Sequence, residues 1–205
     1  MFQHLTPVTK NLLLINVIVF VLVLLLENYG IDLTQWLAGY FPLSPNFRSW
    51  QIITHMFMHG SIMHIAFNMF TLFSFGPALE QVLGQKKFVI LYFLSGLGGF
   101  ALYNIINLVS VYNDMAFLNA NDFDVKLIYQ YAEYNYRGEM SIPTNSVEVK
   151  DAAQNLFFAL RTPMVGASGA IFGAIAAFST LFPNSKLFMM FIPIPISAKY
   201  LFPLI

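Results

Sequence analysis

The segment Leu12–Leu26, LLLINVIVFVLVLLL, is apolar throughout except for Asn16. With its flanks it approaches the roughly 20 residues that cross a bilayer as a helix, so it reads as a first transmembrane span. A cleaved secretory signal needs small residues around its cleavage point. Glu27-Asn28-Tyr29-Gly30 offers none, which favours an uncleaved anchor. The rest of the 205-residue chain has the same character: 58% of residues are hydrophobic, 10% are charged and the mean hydropathy is +0.66, against about 25% charged residues in a soluble domain. The fold class is therefore all-α, a polytopic membrane helical bundle lying in a lipid bilayer. A net charge of zero leaves no basic face for nucleic acid, and no Walker or dinucleotide-type glycine loop is present. The chain has no cysteine, which excludes disulfides, thiolate catalysis and cysteine metal sites. Nothing implies a cofactor.

Residues 31–49 read as a loop, with Pro42, Pro45 and the interfacial aromatics Trp36, Tyr40 and Phe41. No charge occurs between Arg48 and Glu80, more than one span needs, so a re-entrant or interfacial turn is expected over 50–59. A second span then runs from the N-cap candidate Ser61 to Gly76-Pro77. A charged turn over 80–87 leads to a third span over 88–110, where Gly96, Gly98 and Gly99 admit a close neighbour. Residues 111–161 turn rich in Asn, Asp, Glu and Tyr and read as a long extracytoplasmic loop insertion. In it, 147–160 is expected as an amphipathic helix resting Leu156, Phe157 and Leu160 on the membrane surface. The polar composition predicts little core contact and tolerance of shortening. A fourth span covers 165–182, with Gly169, Gly173 and Ala177 as a packing strip. Pro193 and Pro195 make 186–199 an interfacial hairpin, and 200–205 read as the start of a fifth helix.

With the N-terminus in the cytoplasm, Lys10, Lys86, Lys87, Lys186 and Lys199 fall inside. Among the short loops only Arg48 falls outside, because Lys126, Arg137, Lys150 and Arg161 belong to the long loop. Nine of the ten acidic residues, all but Glu80, also fall outside. His59, His64, Asn68 and Ser168 then all lie at the outer ends of their spans.

Polar groups in such segments mark function. Ser168 sits in Gly166-Ala167-Ser168-Gly169 at a helix N-terminus, where the backbone N–H and partial positive charge suit an oxyanion. A serine between glycines is also a common packing pattern. His64 and Asn68, four residues apart, share a helix face and both can donate to a charged oxygen; each also suits an interhelical tether. His55 and His59 have a spacing that a metal can use, but no H-E-x-x-H and no carboxylate accompany them. No Asp lies in any span, which excludes aspartyl intramembrane proteolysis.

These residues resemble the rhomboid intramembrane serine proteases: His59-x4-His64-x3-Asn68 on the second span, Glu80-x3-Gly84 at its end, and Gly166-x-Ser168-Gly169 opening the fourth. The resemblance implies one six-span rhomboid domain, of which 1–205 hold four spans and the start of a fifth. It implies Ser168 as nucleophile, with Gly166 and Gly169 as the motif's backbone. His64 and Asn68 would line the oxyanion hole, supported by His59. The substrates would be transmembrane proteins, cleaved in a bacterial cytoplasmic membrane near its outer face. The family's Trp-Arg pair reads Trp50-Gln51 here, and an aromatic, Phe172, lies one turn after the nucleophile, with ring packing expected. The family's general base is a histidine on the sixth span. No histidine follows Ser168, and none of the present four is expected to deprotonate it, so residues 1–205 alone are expected to be inactive, with the base on a glycine-rich final helix packed against Gly169 and Gly173. The alternatives are an inactive rhomboid-like protein that binds transmembrane helices, and a transporter or metal-handling protein using His55, His59 and His64.

Overall fold

The computed structural model describes residues 5–189 and 192–200. Its elements are α1 (Pro7–Glu27), α2 (Thr34–Leu37), α3 (Gln51–Thr54) running into a 3₁₀ turn (His55–Phe57), α4 (Ile62–Leu83), α5 (Gln85–Ala120), α6 (Val125–Ala132), α7 (Val147–Arg161), α8 (Ser168–Leu181), and an antiparallel hairpin of β1 (Lys186–Met189) and β2 (Ile192–Ser197). The helices α1, α4 and α5 are long and apolar enough to cross a membrane, and the protein is an integral, multi-pass membrane protein. Polar side chains within them bond back along the helix, as Asn16 does to the Leu12 carbonyl (2.8 Å) and Ser74 to that of Phe70 (2.7 Å), which offsets their desolvation without water.

The chain divides into two compact units. One comprises residues up to Leu22, His59–Gly99 and those from Gly166 on. In it α4 does not stop at Gly76-Pro77 but continues to Leu83, with Pro77 inside the helix. A proline removes its own bond in the ladder and crowds the carbonyl one turn back, yet the residues beyond it are held by packing: Leu79 is fully buried and Glu80 nearly so. The Glu80 carboxylate accepts from the backbone N–H of Val8 (3.0 Å) and Thr9 (2.8 Å), the Thr9 hydroxyl (2.9 Å) and the Thr6 hydroxyl. The end of α4 thereby caps the free N–H groups of α1, and the two helices run antiparallel. The expected charged turn reduces to Gly84, whose φ of +78° and N–H bond to the Glu80 carbonyl (2.9 Å) close α4 directly against α5.

The other unit holds Val23–Met58 and Phe100–Val165. Here the expected loop over 111–161 is largely helical. The helix α5 runs ten residues past its expected end at Ser110, because Val111 and Leu118, two turns apart, bury one apolar face under polar composition. Asp124 and Ser146 cap α6 and α7 through their side chains. The two helices close a core with Val125, Ile128, Ala153, Leu156, Leu160 and Phe41. Leu156 and Leu160 thus pack against protein instead of a membrane surface, and the premise that this stretch could be shortened freely does not hold.

One further expectation changes. The fourth span is only 14 residues, Ser168–Leu181, since Gly166 at φ +119° keeps 165–167 out of the helix. The hairpin expected over 186–199 is present as β1 and β2. Of the start of a fifth helix expected over 200–205, only Tyr200 is described, at the end of a 3₁₀ turn over Ala198–Tyr200; 201–205 lie outside the described residues, as does His4.

Candidate active site

The nucleophile candidate Ser168 is the first residue of α8, where a helix leaves its N–H groups unpaired and partially positive. What places it there is Gly166. Its φ of +119° is open only to glycine, and a Cβ at this position would fall 2.7 Å from both Cε1 and Nε2 of His64. The opposite strip of α8 is in close contact with α5. A Cβ on Gly169 would meet the Ser95 carbonyl (3.3 Å) and the Cα atoms of Gly96 and Gly99 (3.4 Å each), and one on Gly173 would collide with the Ser95 side chain. The face expected to receive a later glycine-rich helix is therefore taken by α5, running antiparallel to α8.

The partner residues come from the start of α4. Ser61 caps it, its Oγ accepting from the His64 N–H at 3.1 Å. This fixes the first turn that carries His64. His64 Nε2 lies 3.0 Å from Ser168 Oγ, and one further along α4 Phe75 meets Phe178 with ring centroids 4.7 Å apart, so α4 and α8 run parallel with both N-termini at one end. Asn68, buried one turn below His64, places its Nδ2 3.0 Å from His59 Nε2. The amide nitrogen is a donor, so His59 Nε2 accepts. The rings of His59 and His64 meet edge to face at 5.1 Å. Ser168, His64, His59 and Asn68 thus form one connected polar cluster, with its lower half buried.

This arrangement differs from the sequence reading on one point of chemistry. His64 was expected only as an oxyanion donor, with none of the four histidines near enough to act as base. At 3.0 Å it is within proton-transfer reach of Ser168. As neutral imidazole its Nε2 can accept the serine proton or, in the other tautomer, donate to an oxygen. Phe172 also departs from expectation, because its ring is 46% exposed instead of packed.

His55 belongs to the other unit. Its Nδ1 donates to the Gln51 carbonyl (2.8 Å), its ring packs on Phe100 at 4.8 Å, and burial pushes its pKa below the ordinary histidine value. It stabilises the turn over 51–57. Gln51, noted in the sequence only as the residue standing where the family has an arginine, ties this loop together. Fully buried, it accepts from the Arg48 N–H (3.0 Å) and donates to the carbonyls of Gln35 (3.2 Å) and Asn46 (3.3 Å). Its place beside Trp50 was the available signal.

A family model described as Rhomboid domain matches residues 46–114 and 142–205, leaving 115–141 unmatched between them. Among curated proteins, the chain is 37% identical over 91 residues to rhomboid protease GlpG of Klebsiella pneumoniae, in strains MGH 78578 and 342, covering 44% of this chain and 32% of each relative. It is 37% identical over 62 residues to rhomboid-like protease 3 of Toxoplasma gondii, covering 30% of this chain and 24% of that protein. The matched stretch thus spans about a third of the relatives' length or less. No solved structure matches the chain.

Proposed function

The chain belongs to the rhomboid family of membrane proteins, a family of intramembrane proteases, and we propose that it contributes the nucleophile and oxyanion donors of an intramembrane serine endopeptidase. The observation that carries this is the 3.0 Å contact between His64 Nε2 and Ser168 Oγ at the N-terminus of α8. Ser168 attacks the peptide carbonyl of a transmembrane protein. The Ser168 N–H, His64 and Asn68 stabilise the oxyanion, and His59 holds Asn68 in place. At 1.5 Å per residue the 14-residue α8 is ~21 Å long, short of the ~30 Å hydrocarbon thickness, which supports a serine placed within membrane depth. In the proposed orientation the N-terminus is cytoplasmic and the serine lies near the outer face of a bacterial cytoplasmic membrane. A cysteine introduced at the exposed Asn121 then reacts with an impermeant maleimide in intact cells; labelling only after lysis would invert the topology.

The resemblance puts the general base on a sixth span outside residues 1–205. The His64 contact favours a second reading, in which His64 itself takes the serine proton. A fluorophosphonate probe separates them. With the base elsewhere, purified residues 1–205 stay unlabelled while the complete protein labels at Ser168. Labelling of residues 1–205 that is lost in both Ser168→Ala and His64→Ala assigns the base to His64. No labelling of the complete protein would favour an inactive member that binds transmembrane helices.

A further inference from the structure

The unit formed by Val23–Met58 and Phe100–Val165 contains a cavity of about 270 Å³ that the proposed chemistry does not use. One wall is the 35–48 loop, with Gln35, Trp36 and Arg48. The other is the segment after α6, with Glu133, Tyr134 and Asn135. This second wall falls in the stretch that the family model leaves unmatched.

The walls are fixed before any ligand arrives. Asn46, buried in the floor, donates to the Ala132 carbonyl (2.7 Å) and accepts from the Tyr134 N–H (2.7 Å). The Tyr134 hydroxyl donates to Asp32, and Arg161 lies over the Tyr134 ring at 5.6 Å while donating to the carbonyls of Tyr131 and Glu133. The two charged side chains that line the cavity keep hydrogen-bonding capacity to spare. Arg48 uses one guanidinium nitrogen on the carbonyls of Pro45 and Phe47. Neither Arg48 nor Glu133 has an ion-pair partner among the described residues. Trp36 is half exposed.

We propose that this cavity binds an extended peptide segment outside the membrane, with a carboxylate on Arg48, a cation on Glu133, and its backbone on the amide side chains of Gln35 and Asn135. Two opposite charges in the lining of one cavity, unpaired with each other, match a ligand carrying both signs. In an extended chain alternate side chains share a face, so an acid and a base two residues apart present both charges to the cavity together, while Trp36 offers a flat apolar surface to the chain between. The carboxylate of Glu133 opposes an anionic lipid headgroup in the same place. The inference deepens the proposed function, and rests on it only in identifying the peptide as a segment of the membrane-protein substrate.

The test is binding of two fluorescein-labelled, amidated peptides, Gly-Glu-Ala-Lys-Gly and Gly-Lys-Ala-Glu-Gly, to the detergent-solubilised protein by fluorescence anisotropy. One of the two is expected to bind. Arg48→Ala or Glu133→Ala weakens it by about 5- to 10-fold, the scale of one charge-assisted contact at a partly exposed site. The double exchange Arg48→Glu with Glu133→Arg transfers binding to the other peptide, and Ser168→Ala leaves it unchanged. Binding therefore reports on the cavity whether or not the protein is a protease. Absence of binding by both peptides, binding indifferent to Arg48 and Glu133, or Arg48-dependent capture of short-chain phosphatidylglycerol with no peptide binding would each overturn the proposal.

Discussion

Removing the Glu80 carboxylate as Glu80→Ala strips the N-terminus of α1 of its cap. The side chain accepts four hydrogen bonds, from the N–H groups of Val8 and Thr9 and the hydroxyls of Thr6 and Thr9. The Thr6 hydroxyl has an alternative acceptor, the Thr9 hydroxyl oxygen at 3.0 Å. The two N–H groups lose their acceptor, Thr9 in a buried position and Val8 in a part-buried one, and each orphaned donor costs about 1–3 kcal/mol. Loss of a carboxylate from a partly buried helix N-terminus adds up to about 2 kcal/mol. The expected destabilisation is therefore about 2–8 kcal/mol, and Glu80→Gln, which keeps one acceptor oxygen, is expected to lose about half of it. The measurement is reversible unfolding in mixed micelles followed by circular dichroism, with the exposed Glu139→Ala as a control that should not move. A loss below ~1 kcal/mol for Glu80→Ala would refute the reasoning, because a cap that counts must cost more than an exposed ion pair does.

In the complete protein, Ser168→Ala is expected to abolish cleavage of a transmembrane reporter while leaving the unfolding midpoint in place, since only a hydroxyl is lost; residual cleavage would remove the serine from its role. His64→Ala and Asn68→Ala are each expected to lower turnover by about 10- to 1000-fold, the scale of an oxyanion donor, measured as kcat on the same reporter. Gly166→Ala forces a side chain into a backbone region that costs about 1–3 kcal/mol and against the His64 ring, so fluorophosphonate labelling of the complete protein should fall while helix content is unchanged. The fourth case is acid stability. Burial alone would raise the Asp32 pKa, but hydrogen bonds from Tyr134 and Thr34 outweigh it and hold it below the ordinary carboxylate value. That contribution is present above the unfolded pKa near ~3.9 and is lost as pH falls through the lower folded value. Tyr134→Phe should flatten the loss of thermal stability over this acid window, and an unchanged slope would show that the contact does not titrate.

Signals that act over a few residues were legible in the chain. The apolar run Leu12–Leu26, broken only by Asn16, is enough to make α1, because a helix satisfies its own backbone in lipid. Ser61 announces α4 by the hydrogen bond its side chain offers three residues on, and the amphipathic pattern after Ser146 gives α7. The residues of the polar cluster were equally visible, since two histidines, an asparagine and a serine are costly in apolar segments. Their mutual pairing was not. His64 and Ser168 are 104 residues apart, and only the parallel packing of α4 on α8 decides that the imidazole meets the hydroxyl. The same holds for Glu80, whose partners lie more than 70 positions earlier, and for Gln51, whose amide reaches a carbonyl 16 residues back. Element ends moved for a related reason. Composition turns polar at Val111, but composition averages over all faces of a helix. One buried face, with Val111 and Leu118 under α6 and α7, carries α5 on to Ala120, just as packing carries α4 past Pro77.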